Sequence, residues 1–258
     1  MREMSSRVSN WRATGSLPEF LQHHQIVALS EVDTRSLTRH LCTYGTKRGV
    51  IAAGDWNTEE LIQKAKDSPR IEELDLVPQR VSQRADDHVA GSQNIVVYDF
   101  GVKRSILRSL ASQGARIILV SANTSAEDVL SMHPDRVVLS NGPGDPARLG
   151  DITAEIAKLI GKVSLFGIAL GHQILGRALG ASTYKLPFGH RGTQPVLDKR
   201  TGKSEMTAQN HSFCIVPETL PPEVEVTHIN LHDGSVEGFR HRDLPVSSAQ
   251  FLPEHLVK

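Results

Sequence analysis

Val163-Ser-Leu-Phe-Gly-Ile-Ala-Leu-Gly-His-Gln-Ile-Leu-Gly-Arg-Ala-Leu-Gly180 is the stretch on which the fold of this chain turns. The apolar run Val163 to Ile168 reads as a buried strand, and Gly167, Ala169 and Gly171 bracket a sharp turn. Leu170, Ile174, Leu175 and Leu179 then recur at helical spacing. Strand, tight turn and helix in that order form a nucleophile elbow, which holds its apex residue in strained backbone geometry and leaves the next N–H free to stabilise an oxyanion. Here the apex residue is Ala169, which carries neither hydroxyl nor thiol. The frame for nucleophilic attack is present and the attacking atom is not.

The segments downstream of residue 93 alternate strand with helix. Ile95 to Phe100 reads as a buried strand, Ser105 to Ala111 as a helix, and Ala115 to Val120 as a second strand. Ser125 to Met132 follows as a helix and Arg136 to Ser140 as a third strand. That alternation predicts an α/β fold with a doubly wound, mostly parallel sheet, whose ligand lies beyond the carboxyl ends of the strands. Two loops fall there: the elbow, and Asn141-Gly142-Pro143-Gly144-Asp145-Pro146, whose glycines let the backbone approach a ligand closely. Beyond Gly180 the pattern changes to short strands with polar turns, including a hairpin around Lys199 to Lys203.

Upstream, residues 1–90 read as a separate, partial small α/β domain. Ile26 to Leu29 and Gly49 to Gly54 have strand composition, Thr34 is a candidate cap for a helix carrying Leu37 and Leu41, and a further helix starts at Thr58. Val77 to Gln93 is polar, with Pro78, Asp86, Asp87, Gly91 and Ser92, and predicts a linker with a domain boundary near Gly91. The second domain then spans 93–258.

Lys+Arg and Asp+Glu both number 29, so the formal net charge is zero and nothing in the charge balance favours nucleic acid or an anionic membrane as partner. No segment is long and apolar enough to span a bilayer, and the N-terminus lacks a secretion signal, which predicts a cytoplasmic protein. The two cysteines, Cys42 and Cys214, are too few for a disulfide framework and suit a reducing compartment. Cys214 reads as a buried, inert thiol. The 12 histidines are scattered without metal-ligand spacing, so no metal is predicted.

Gly167-Ile168-Ala169-Leu170-Gly171-His172-Gln173 resembles the Gly-Ile-Cys-Leu-Gly-His-Gln elbow of class I glutamine amidotransferases, whose fold is flavodoxin-like. More narrowly, the chain is similar to the small, glutaminase subunit of carbamoyl-phosphate synthase. The stretch Ile26 to Arg39, with Asp33, Arg35 and Arg39, resembles the N-terminal domain of that small chain, which other class I enzymes lack. In the family, the apex cysteine attacks the side-chain amide of glutamine, ammonia leaves for a synthetase partner, and the thioester is hydrolysed. The resemblance places Gly142, Gly144, Leu170 and Gln173 at the substrate, with the Leu170 amide and the Gly-rich loop as oxyanion donors. Thr207 to Phe213 is similar to the family's Thr-Ala-Gln-Asn-His-Gly-Phe segment, which binds the amino and carboxylate ends of glutamine, and so marks Asn210, Ser212 and Phe213. Ser212 stands where that segment has glycine.

Ser248 to His255 resembles the family's Val-Gln-Phe-His-Pro-Glu segment, which supplies the base and the glutamate that orients it. The histidine position is Leu252, while Glu254 is kept; His255 lies three positions from the missing imidazole. The resemblance implies that the chain starts within the N-terminal domain, lacks the family's early serine contact, stops just past Glu254 and leaves apolar surface and a sheet edge uncovered. It further implies a small-subunit homologue whose glutaminase step is lost through Ala169 and Leu252, with docking to a large synthetase subunit and L-glutamine binding as the remaining capabilities. ATP and Mg²⁺ would belong to the large subunit, and this chain would need no cofactor of its own. Either arginine or pyrimidine biosynthesis would be served. Two other readings stay open: an active glutaminase using an unrecognised nucleophile, and a non-functional fragment.

Overall fold

The computed structural model describes residues 1–5, 7–77, 91 and 93–252 of the 258. These divide into two compact units, Met1–Arg70 and the chain from Ile71 onward. Most of the expected linker lies outside the described residues. The division falls at Arg70, and Val77, at the linker's start, is buried in the core of the second unit.

The described residues of the first unit contain three helices, α1 (Leu17–His23), α2 (Thr34–Tyr44) and α3 (Thr58–Asp67). Each begins at a side-chain cap. Ser16 and Glu19 form a reciprocal capping box at α1, Asp33 accepts from the Ser36 N–H at α2, and Asn57 accepts from the Glu59 N–H at α3. The cap of α2 is therefore Asp33 rather than Thr34. Ile26 to Leu29 and Gly49 to Gly54 are not strands: no ladder involves them among the described residues, and Ile26, Val27, Leu29, Val50 and Ile51 are exposed. β-propensity describes how well a residue fits a pleated, half-buried surface, and without a neighbouring strand that surface does not exist.

In the second unit, β1 (Gln93–Asp99), α4 (Arg104–Ser112), β2 (Ala115–Ser121), α5 (Ala126–Ser131) and β3 (Arg136–Leu139) follow one another as expected. Next come α6 (Gly150–Ala157), β4 (Ser164–Ile168) and α7 (Leu170–Ala178). Five strands follow among the described residues: β5 (Thr183–Asp198), β6 (Lys203–Ile215), β7 (Val224–Asn230), β8 (Val236–His241) and β9 (Val246–Ala249). One sheet takes them in the order β2-β1-β3-β4-β9-β8-β7-β5-β6. The first five are parallel and the rest join antiparallel. Sequence reading found the β5–β6 hairpin but not its length, nor that β9 returns beside β4 to complete the parallel half.

Alternation along β1 shows how the sheet is covered. Val96 and Tyr98 belong to an apolar cluster with Ile156, Ile174 and Leu175 of α6 and α7, whereas Ile95 and Val97 belong to another with Ile106, Leu107 and Leu110 of α4. Helices therefore cover both faces, and the parallel strands read as continuous apolar runs for that reason. Full burial of Ile174 and Leu175 contributes roughly 1.5–3 kcal/mol each. β1 leads to β2 on one side and β3 lies on the other, so the strand order reverses between β1 and β3 and a crevice opens at their carboxyl ends.

Helix α7 sits close to that crevice because residue 171 has no side chain. A Cβ on Gly171 would meet the Leu139 carbonyl oxygen at 2.1 Å. Gly171→Ala is therefore expected to destabilise the chain by about 3 kcal/mol in urea unfolding, as overpacking against rigid backbone does. Gly150→Ala, where an added Cβ meets nothing within 4 Å, should stay within about 1 kcal/mol of wild type.

Candidate active site

The polypeptide leaves β4 through Ala169 with φ 51° and ψ −106°, a left-handed conformation for a residue that has a Cβ. Such geometry costs about 1–3 kcal/mol and persists only where its surroundings over-determine it. Here they do. The Ala169 N–H donates to the Ala249 carbonyl at 2.9 Å, the Gly171 N–H donates to the Ser140 carbonyl at 3.0 Å, and the Ala169 carbonyl accepts from the Gln173 N–H at 3.2 Å. The ends of β3, β4 and β9 thus grip the turn together. No side chain caps α7, whose N-terminus brings its partial positive charge to the turn.

Above the turn lies a cavity of about 680 Å³. Its floor comes from the parallel strand ends: Asn141 to Gly144, Ala169, Leu170, Gln173, Gln250 and Leu252. Its wall comes from Arg191 to Thr193 on β5 and Ala208 to Phe213 on β6. The fold therefore brings Gly142, Gly144, Ala169, Leu170, Gln173, Asn210, Ser212, Phe213 and Leu252 to one cavity, although they come from four separate stretches of sequence. Glu254 and His255 lie outside the described residues. Gly142 comes so near Phe100 that a Cβ would meet its carbonyl oxygen at 2.3 Å, which fixes glycine there.

Hydrogen bonds tie floor to wall. Gln173 Nε2 donates to the Phe213 carbonyl at 2.7 Å and to Gln250 Oε1 at 2.9 Å, joining α7, β6 and the end of β9. Leu252 donates its N–H to the Ala208 carbonyl at 3.0 Å and packs, with Ala169, against the Ile168 cluster. Ser212, at the position where the similar family segment has glycine, accepts from Arg191 Nη2 at 2.7 Å, and the same guanidinium donates to the carbonyls of His190 and His211. Sequence reading missed Arg191, Lys103 and Gln250 as lining residues. Gln250 lay inside a segment already singled out, and its buried Nε2 has no partner among the described residues, so a donor is left over beside the cavity. Among the described lining residues, Lys103 and Arg191 are cationic and none is a carboxylate.

None of these groups is a nucleophile with a base. Cys214 is fully buried, away from the cavity lining, and burial pushes its thiol up, away from ionisation. His211 lines the cavity, but burial pushes it down to about 4, and both ring nitrogens are engaged, Nδ1 with the Phe213 carbonyl and Nε2 with Gln209 Oε1. His172, beneath the elbow, is wholly buried against Phe239 and pushed down to about 3 by that burial. Its Nδ1 pairs with Ser248 Oγ at 2.8 Å.

Comparison with known proteins follows the same division. Residues 96–258 match the family model for glutamine amidotransferase class-I, and residues 1–51 match that for the carbamoyl-phosphate synthase small chain, CPSase domain. The carbamoyl phosphate synthase small chain of Akkermansia muciniphila is 47% identical over 98% of this chain and 71% of its own length. That of a Synechococcus strain is 47% identical over 98% and 68%. This chain belongs to the carbamoyl-phosphate synthase small-chain family. The fold is shared more widely: a glutamine amidotransferase of Thermotoga maritima superposes with TM-score 0.50 at 16% identity, over 63% of this chain and 76% of its own. A Thermoplasma acidophilum protein assigned to GMP synthase superposes with TM-score 0.56 at 23% identity, over 63% and 84%. Among the described residues of this small-chain homologue, no helix is long and apolar enough to cross a membrane.

The buried histidines give this family member a signed pH dependence. His172 and His211 bind their protons less tightly folded than unfolded, where the ordinary value is 6.5. Their contribution is intact above that value and is lost as pH falls towards about 4. Each should lower stability by about 1.4 kcal/mol per pH unit through that window. His190 has the opposite sign, being raised, and its contribution is lost as pH rises. Urea unfolding at a series of pH values should show a falling acid limb, and His172→Gln should flatten it by the share of one histidine.

Proposed function

We propose that this chain is a glutaminase-silent small subunit, which keeps the glutamine cavity and the docking role while its large synthetase subunit takes free ammonia. The observation that carries this reading is the pair Ala169 and Leu252 in one cavity. Hydrolysis of a carboxamide through a thioester needs a nucleophile, and a base that takes its proton and returns it to departing ammonia. Ala169 supplies no attacking atom and Leu252 no proton acceptor. Members of such a constellation act as a unit, so loss of one already removes most of the rate, on the order of 10⁶-fold in protease triads.

Shape is kept where chemistry is lost. The strained turn remains, the Leu170 amide and the Gly142–Gly144 loop remain to receive a carbonyl oxygen, and Asn210, Ser212 and Phe213 line the opposite wall. Arg191 and Lys103 favour the carboxylate end of an amino acid in a cavity whose described lining carries no negative charge. The side chain of Ser212 narrows the wall where the family segment has glycine, and its tie to Arg191 holds it in place. Binding is therefore retained but weaker than with glycine. ATP and Mg²⁺ chemistry belong to the large subunit.

Titration calorimetry should show glutamine binding to the folded chain, and a coupled assay of glutamate release, with and without a large subunit, should show no sustained turnover. Turnover by the wild-type chain would defeat the reading. Ala169→Cys together with Leu252→His should regain measurable hydrolysis, while either change alone does far less, because the two residues act together. A folded, glutamine-binding double variant that stays silent would mean that the cavity no longer presents glutamine to position 169.

A further inference from the structure

Behind the cavity wall lies a buried polar cluster that none of the steps above uses. His190 on β5 and His211 on β6 are direct cross-strand partners, and Glu237 on β8 lies against them. All three are buried, Glu237 completely. The ladder register slips between Lys185 and His190, where Gly189 has φ +71°, an irregularity of the kind that re-aims a side chain.

Outer hydrogen bonds fix where the ring protons sit. His190 Nε2 donates to Asp233 Oδ2 at 2.9 Å, and His211 Nδ1 donates to the Phe213 carbonyl at 2.9 Å. In a neutral ring the other nitrogen is then an acceptor. Those two acceptors, His190 Nδ1 and His211 Nε2, face each other at 3.2 Å. Glu237 Oε1 stands 3.4 Å from His190 Nδ1. Gln209 adds a fourth acceptor, because its Nε2 is committed to Glu237 Oε2 at 2.8 Å and Thr207 Oγ1 at 3.1 Å, which turns its Oε1 to His211 Nε2 at 2.7 Å. Besides the Gln209 amide on Glu237 Oε2, the Asn230 amide donates inward, to Glu237 Oε1 at 2.9 Å and His190 Nδ1 at 3.4 Å. Buried acceptors facing one another are costly unless a proton or a metal cation sits between them.

The geometry narrows the choice of cation. Ligand atoms around a tetrahedral ion with bonds of about 2.0–2.1 Å lie roughly 3.3 Å apart. Two of the three separations, 3.2 and 3.4 Å, match that spacing, and all three ligand atoms lie within 4.8 Å of one another. Two imidazoles and one carboxylate are a donor set for a transition ion, and Asp233 and the Phe213 carbonyl are the outer partners that orient ligating histidines. We propose that His190 Nδ1, His211 Nε2 and the Glu237 carboxylate form a binding site for a divalent transition ion, zinc being the best match, which fastens β5, β6 and β8 behind the cavity. Ions enter from the cavity side, where Gln209 and His211 line the wall, and a water completes the coordination. The histidines come from two strands and the carboxylate from a third, which is why no short ligand spacing exists in the sequence.

The test uses the whole chain, stripped with a chelator and titrated with cobalt(II), then with zinc in competition. One equivalent of cobalt should bind with the intense visible bands of tetrahedral coordination, zinc should displace it, and the thermal midpoint should rise with either ion. Asp233→Asn, at a half-exposed site, should weaken binding by about 10–100-fold. Glu237→Gln should abolish binding, and His232→Ala, an exposed histidine outside the cluster, should leave it unchanged. Absence of stoichiometric uptake would show that a proton fills the centre and would overturn the proposal. Weak uptake that Asp233→Asn leaves unaltered would show an adventitious ion only and would overturn it equally.

Discussion

The backbone at Ala169 is the constraint on which the second unit depends. A left-handed turn at a residue with a Cβ is tolerated because two neighbouring strand ends, those of β3 and β9, hold it by hydrogen bonds and Gly171 lets α7 lie against Leu139. That grip requires β9 beside β4, and β9 arrives there only after the chain has built the antiparallel half of the sheet. The turn is therefore a product of the whole sheet rather than of its own six residues. At position 169 the strain belongs to the frame of the fold, because alanine has no side-chain function that would need to be held above the sheet.

The two halves of the sheet divide the labour. Parallel strands, covered by helices on both faces, give a rigid floor whose carboxyl ends converge on one point. Antiparallel strands β5 and β6 carry the wall, and Gln173 closes the angle between them by donating to Phe213 and Gln250 at once. One buried amide thus couples the elbow helix, the wall and the end of β9. Its satisfaction matters more than its net energy, since an unpaired buried amide costs about 1–3 kcal/mol whereas a made bond contributes about 1.

How much of this the sequence discloses depends on how local each signal is. The elbow, the Gly-Pro-Gly loop and the βα alternation from Gln93 to Leu139 are legible because glycine placement and burial on both faces act within a few residues. The strand reading of Ile26 to Leu29 and Gly49 to Gly54 fails for the converse reason: a strand exists through its partner, and composition cannot supply one. Asp33 takes the cap that Thr34 was expected to hold, a shift of one residue that leaves the helix in place. Arg191 and Gln250 escaped because what makes them lining residues is the pairing of β5 with β6 and of β9 with β4, both long-range events. The His190, His211 and Glu237 cluster is beyond sequence reading altogether, since its members meet only after three strands have found their registers.

Alanine at 169 and leucine at 252 are coherent as a pair. Both side chains pack against the apolar cluster that contains Ile168 and Val138, so a single polar group at either position would face hydrocarbon without a polar partner. Removing one member of a buried polar pair strands the other, whereas replacing both by apolar groups is close to neutral. With two apolar side chains at these positions the packing around the strained turn is self-consistent, and the turn keeps its shape without a polar group at either position.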